Sequence, residues 1–293
     1  MKYAPKTVVI DQTVLCDQEC SFCWRSDREL VRRETQAAPF HTMPFEVFSR
    51  IVDEAAAIPT IINASLCGPM GEPALVKDLV ARGRYLMSKR FAGWVVINSN
   101  GHALDRHDPR ELLRAFTAIH VSVDSIEPET YAKIHGRGRH LEKVIANIFA
   151  LVEARKRYGG ATIKVRFTEN EHNARQWRKF SRFFRPHVSL IHRRVHAFVD
   201  VVEGAQYQYG AQHCNQPKET VNFNYRGEMT TCCINYKLSP TFGKLGEGRS
   251  LQELWEGREF ERWRGTRLEG LCKDCSGLGP HVQKVNVIRK EAA

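Results

Sequence analysis

Six short apolar runs alternate with segments of helical periodicity over the first two-thirds of the chain, and this alternation restricts the fold more than any other feature. The runs lie at 7–15, 60–66, 93–98, 118–123, 162–167 and 188–195. Helices are expected between them at about 42–57, 75–90, 109–116, 141–157 and 174–184, the first with Thr42 as N-cap, Pro44 in its first turn and Glu46 close behind. Repeated βα units imply an α/β fold with a parallel sheet and right-handed crossovers. In such folds the chemistry gathers at the carboxyl ends of the strands. That is where this chain places Cys16, Cys20 and Cys23 (after strand one), Gly71-Glu72-Pro73 (after strand two), Asn100-Gly101 (after strand three) and Ser122-Val123-Asp124 (at strand four).

The pattern changes after about residue 200. Runs at 221–225 and 229–233 flank Arg226-Gly227, which reads as a β-hairpin. A helix is expected at 251–263. The expected division is a barrel over 1–200, a small second domain over 201–280 and a frayed tail over 281–293. No apolar run approaches the roughly 18 residues that span a bilayer, and the first twenty residues lack the layout of a signal peptide. A cytoplasmic protein with no membrane partner is expected.

The cysteines add a chemical constraint. There are nine, at 16, 20, 23, 67, 214, 232, 233, 272 and 275. An odd, clustered set argues for metal rather than a disulfide framework. Cys16-x-x-x-Cys20-x-x-Cys23, with Phe22 before the last thiol, can hold three irons of a [4Fe–4S] cluster and leave the fourth iron open. The alternative is zinc completed by a distant His or Cys. Cys214, followed by twelve residues, Gly227, four more and Cys232, joins Cys272-x-x-Cys275 to make four thiols. These suit either a fully ligated [4Fe–4S] cluster or a zinc ribbon. The spacing to Gly227 favours Cys232 over Cys233 as the ligand. Cys67 and Cys233 are then left over, as small core residues or reactive thiols.

The net charge is +11, and residues 174–199 hold seven Arg or Lys with no acid. This is a solvated helix face or a docking patch for an acidic partner, such as a flavodoxin-like electron donor. No interleaved basic and aromatic motif points to nucleic acid.

Taken in order along nearly the whole chain, these motifs resemble the radical S-adenosylmethionine (SAM) superfamily. Gly68-Pro-Met70-Gly71-Glu72-Pro73 is similar to the family's Gly-Gly-Glu-Pro turn, with Met70 replacing the first glycine. Asn98-Ser99-Asn100-Gly101, Ser122-Val-Asp124 and the run from Pro128 to Arg137 resemble the family's later segments, and Asn173 stands where the family often opens a helix. The segment from Phe242 to Trp255, followed by Cys-x-x-Cys, resembles the SPASM/twitch extension in its one-cluster twitch form. This layout is similar to family members that oxidise or epimerise aminoglycosides.

The resemblance implies a partial (β/α)6 barrel with a twitch subdomain of hairpin plus helix. The implied cofactors are SAM and two [4Fe–4S] clusters. Phe22, Gly71, Glu72, Asn100, Ser122, Asp124 and Arg166 are the implied SAM-binding residues, with Arg166 for the SAM carboxylate. Cys233 and Cys67 become candidate hydrogen-atom donors. The implied reaction is abstraction of hydrogen from an unactivated C–H of a saccharide or aminocyclitol, leading to epimerisation or oxidation. A peptide maturase is the alternative, and a nucleic-acid-binding metal protein a distant third.

Overall fold

Side chains on a strand point alternately to opposite faces, so an apolar residue at every second position marks the face that packs on helices. Val8 and Ile10, Ala64 and Leu66, Val95 and Ile97, Ile119 and Val121, and Ile163, Val165 and Phe167 obey this rule and meet in one buried core. The computed structural model describes residues 3–89, 91–136, 140–194, 213–246, 248–270, 272–273 and 275. Their elements run β1 (Thr7–Ile10), α1 (Arg28–Gln36), α2 (Phe45–Ala56), β2 (Asn63–Leu66), α3 (Leu79–Ser88), β3 (Val95–Ser99), α4 (Pro109–Ala115) and β4 (Ala118–Ser122). Next come α5 (Pro128–His135), α6 (Leu141–Tyr158), β5 (Thr162–Glu169), α7 (Trp177–Phe184) and β6 (Ser189–Arg194). The last third holds α8 (Gln216–Glu219), β7 (Thr220–Phe223), β8 (Glu228–Thr230), β9 (Thr241–Lys244), α9 (Leu251–Glu256) and α10 (Arg258–Thr266). The expected tail over 281–293 lies outside the described residues.

One nine-stranded sheet has the order β6-β5-β4-β3-β2-β1-β7-β8-β9. Pairing is parallel from β6 through β7 and antiparallel from β7 to β9. The expected six-stranded barrel segment is therefore present. The hairpin extends its sheet by pairing β7 with β1, Val9 opposite Asn222. The core follows the sheet: Val221, Phe223, Leu254, Trp255 and Phe260 belong to the same buried cluster as the strands of the first two-thirds.

Three local expectations change. Thr42 does not cap α2. It bridges to Thr13, and Pro44 stands at the cap. The helix expected from 75 begins only at Leu79, because Pro73–Leu75 forms a separate 3-10 turn with Glu72 as its cap. The helix expected over 251–263 is two helices, since Gly257 leaves the helical conformation (ψ 144°) and becomes the N-cap of α10. α1, α5, α8 and β9 fall outside the expected elements.

Trp255 ties the extension to the start of the chain. It is 1% exposed, its indole N–H donates to Tyr3 O at 2.8 Å, and the Arg264 guanidinium lies 4.2 Å from its ring. Trp255→Ala is expected to lower the unfolding free energy by about 3–5 kcal/mol. Because the core is shared, denaturant unfolding followed by far-UV circular dichroism and by tryptophan fluorescence should shift together in a single transition.

Candidate active site

The loop that follows β1 carries Cys16, Cys20 and Cys23. Its shape is set by contacts to two other segments. Glu19 N and Ser21 N donate to the carbonyls of His135 and Ile134 at the end of α5 (3.3 and 2.7 Å). Gln18 Nε2 donates to Tyr131 Oη at 2.9 Å. Gly136 (φ 73°) lets this approach happen, since a Cβ there would stand 2.8 Å from Glu19 O. On the other side Trp24 Nε1 donates to Pro69 O (2.6 Å), and the buried Arg25 donates to Val14 O and Met70 O (2.9 and 3.0 Å).

Burial pushes all three thiols up: Cys16 to about 12, Cys20 well above a normal thiol and Cys23 in the same direction. Cys20 is raised further by the charge that Cys23 and Cys16 would carry. The nearest cation, Arg25, is committed to two carbonyls. A polycationic centre with affinity for soft sulfur is what such a set needs to become thiolate. The residues thus fit an iron–sulfur cluster.

The turn after β2 is pressed against the same loop. A Cβ on Gly71 would stand 2.2 Å from Thr13 O and 2.5 Å from Leu15 O, so no side chain fits there. Glu72 N donates to Leu15 O (2.7 Å) and Met70 N donates to Asp11 Oδ2 (3.0 Å). Met70, the departure from the family pattern, has a packing reason. Its side chain is fully buried with Val14, Trp24, Tyr225 and Leu238, a second apolar cluster shared with the extension.

The Glu72 carboxylate accepts from Ala74 N (2.8 Å), Ser99 Oγ (2.7 Å) and Asn100 N (2.7 Å). Burial nevertheless lifts it to about 7. Asn100 Nδ2 donates in turn to Asp17 Oδ1 (2.7 Å) and lies 3.9 Å from Cys16 Sγ.

Ser122 is half-buried and lies beside Arg166 in register. Asp124 is fully buried with a left-handed backbone (φ 63°). Its Oδ1 accepts from Thr168 N at 2.5 Å, Oδ2 faces His135 Nε2 at 3.4 Å, and its carbonyl accepts from Asn173 Nδ2 at 2.7 Å. His135 Nδ1 lies 3.2 Å from Cys20 Sγ, and Phe22 stands edge-on to the His135 ring at 6.5 Å. Arg166 donates to Asn98 Oδ1, Asn98 Nδ2 donates to Ser65 Oγ (3.4 Å), and Ser65 Oγ donates to Cys67 Sγ (3.2 Å). Arg166 thus stands with Cys67 rather than with Glu72.

The second set of thiols is coupled by charge. Burial lifts Cys232 to about 12, aided by charge at Cys275, Cys272 and Cys214, and lifts Cys272 to about 11. Cys275 N donates to Cys272 O at 3.3 Å, closing the turn between them. Burial raises Cys233 well above a normal thiol, charge at Cys67 adds to this most, then charge at Cys232 and Cys214, and Arg193 draws it down. The two adjacent cysteines differ in their strongest thiol neighbour, Cys275 for Cys232 and Cys67 for Cys233.

Sequence reasoning missed Asp17, Arg25, His135 and Arg193 as parts of this site. Asp17 and Arg25 lay in view, as charged residues within or beside a cysteine loop at a strand end. His135 lies in the run from Pro128 to Arg137 and Arg193 in the basic stretch 174–199, but neither segment singles the residue out, and each reaches the site through the fold.

The family model of the radical SAM superfamily matches residues 11–180, and that of an iron-sulfur cluster-binding domain of the SPASM type matches residues 214–276. No curated protein matches the chain. Among solved structures, BtrN in complex with AdoMet and 2-DOIA is similar over 95% of both chains, with TM-score 0.57 and 13% identity. Streptococcus suis SuiB bound to precursor peptide SuiA is similar over 94% of this chain and 70% of its own, with TM-score 0.68 and 13% identity. Native anSMEcpe with bound AdoMet and Cp18Cys peptide is similar over 94% and 92%, with TM-score 0.60 and 13% identity. Three thiols on the loop after β1, four more in an extension of the same sheet, and a family match over more than half the sequence lead to one conclusion: the chain belongs to the radical SAM superfamily and carries a SPASM-type extension, with SAM and two iron–sulfur clusters as its cofactors.

Proposed function

We propose that this radical SAM enzyme removes a hydrogen atom from a C–H bond of a saccharide-type carbinol and returns one to the opposite face, which makes it an epimerase. What supports this reading is that Cys67 and Cys233, the two thiols outside both cluster sets, lie close enough for the charge of one to raise the other, with Cys67 held by Ser65 Oγ at 3.2 Å. Polar residues surround them: Ser65, Asn98, His120 and Ser122 offer the hydrogen bonds that a polyhydroxylated substrate exchanges for water. Oxidation by an enzyme of the same build is the runner-up, supported by the matched length of this chain and BtrN.

Cys16, Cys20 and Cys23 are the ligands of the SAM-cleaving cluster in this reading, and Cys214, Cys232, Cys272 and Cys275 those of the auxiliary cluster. Gly71, Glu72 and Asn100 hold the amino end of SAM, Phe22, Ser122 and Asp124 flank it, and Arg166 meets its carboxylate. Bound together, the cluster and SAM supply a one-electron cleavage that abstracts hydrogen from an unactivated carbon. The protein's own part is to orient one C–H and to exclude water. A thiol of the Cys67–Cys233 pair then gives a hydrogen atom to the substrate carbon. One electron and one proton restore that thiol, the electron from an external acidic donor such as a flavodoxin-type protein. The exposed Arg175, Arg178, Arg182 and Arg185, on and beside α7, offer such a donor a cationic surface. Among the described residues no helix is long and apolar enough to cross a membrane.

Two measurements test this. Anaerobic reconstitution should give about eight irons per chain, and changing Cys16, Cys20 and Cys23 together to Ala should leave about four and abolish 5′-deoxyadenosine. Cys232→Ala should likewise lose about four irons, whereas Cys233→Ala should keep all of them. With a panel of saccharides and aminocyclitols in deuterated water, the wild type is expected to place one deuterium at an inverted carbon. Cys233→Ala should still make 5′-deoxyadenosine but lose most of that deuterium. A product two hydrogens lighter without deuterium would replace epimerisation with oxidation, and turnover with peptides alone would overturn the saccharide reading.

A further inference from the structure

The same alternation that builds the core decides what the inner face of the sheet carries. Ile119 and Val121 on β4, and Ile163, Val165 and Phe167 on β5, pack toward the helices. His120, Lys164 and Arg166 therefore point the other way. On β6, His192 stacks on Trp177 of α7 at 4.2 Å, which places it on the helix side and turns its neighbour Arg193 inward. The register sets Lys164 beside His120 and Arg193 beside Thr168. The inner face so built has three cations at its described strand positions and no carboxylate there. Two acids stand just beyond the strands: Asp11 holds Met70 N, and Asp124 holds Thr168 N, faces His135 and is the strongest favourable charge felt by Arg166.

Arg166 and Arg193 share one part of this face. Each is only partly accessible, and desolvation opposes the charge of each; Arg166 adds repulsion at Arg193. Both also feel Cys67 and Cys233. Arg166 and Arg193 stand diagonally across the β5–β6 register on one face, near enough to feel both thiols. SAM brings a single carboxylate, which Arg166 can take. A guanidinium presents five donors in a planar fork, so Arg193 can keep a protein contact and still grip an oxyanion.

We propose that Arg193, with Arg166 at its shoulder, binds a carboxylate or phosphate group of the substrate beside Cys67 and Cys233. This rests on the reading of the inner face as the substrate site, and it narrows the substrate to an anionic saccharide. A cationic aminocyclitol would meet like charge on three strand positions.

The test uses cluster-loaded protein, in which Cys67 and Cys233 are the free thiols. They are alkylated with iodoacetate, an anion, and with neutral iodoacetamide, and the rate ratio at each thiol is read by peptide mass spectrometry against glutathione. Wild type is expected to raise the iodoacetate-to-iodoacetamide ratio about tenfold above that of glutathione. Arg193→Gln, with unchanged iron content, should return it to the glutathione value. Calorimetric titration with inorganic phosphate and with malonate covers the case in which neither reagent enters, and separates a phosphate-bearing from a carboxylate-bearing substrate. One of the two anions should bind to wild type and at least tenfold more weakly to Arg193→Gln. A ratio equal to that of glutathione together with no anion binding, or equal behaviour of wild type and variant, would overturn the pocket. Production of 5′-deoxyadenosine by wild type is scored separately, so a failure of the radical chemistry is not mistaken for a failure of anion binding.

Discussion

The parallel pairing of β1 with both β2 and β7 is the contact on which the rest depends. β1 is four residues long, yet it is hydrogen-bonded on both sides and releases the loop with Cys16, Cys20 and Cys23. From β2 comes the turn with Gly71 and Glu72, and from β7 the hairpin that leads to Cys232. A short central strand thus sets the positions of two metal-binding segments and of the turn between them. Asp11 N donates to Phe223 O at 2.9 Å, one residue past the strand, and keeps the pairing intact up to the start of the loop.

Tight contacts then convert this placement into a site. Gly71 comes so close to Thr13 and Leu15 that the loop and the turn behave as one piece. Met70 and Trp24 complete that piece from beneath, packed with Tyr225 and Leu238 of the extension. The extension is therefore part of the foundation of the first cluster loop as well as the carrier of the second cysteine set. The polar inner face and the apolar outer face come from the same strands, sorted by the pleat.

Much of this was legible in the sequence because it is written in local terms. Cysteine spacing, the Gly71-Glu72-Pro73 turn and the six apolar runs each state their meaning within a few residues. What escaped is set at longer range. Thr42 looks like a cap from its neighbours, but Thr13 claims it through the sheet. Gly257 sits inside a helical pattern that nothing local interrupts, and the break appears only where two helices must turn over one core. Cys232 and Cys233 could not be told apart with assurance by spacing, since their difference lies in what the fold brings to each. His135 and Arg193 lie inside segments marked for other reasons, the run from Pro128 to Arg137 and the basic stretch 174–199; α5 and β6 deliver them to the site.

Cys232 and Cys233 also carry a consequence for how such an enzyme can change. One peptide unit, about 3.8 Å between α-carbons, separates Cys232, whose strongest thiol neighbour is Cys275, from Cys233, whose strongest is Cys67. Both lie in the turn that follows β8, so gain or loss of a single residue between Gly227 and Cys232 would displace the two thiols together. The length of that hairpin is therefore under a double constraint, while the side chains of the inner face are free to vary on strands whose register is fixed from both sides.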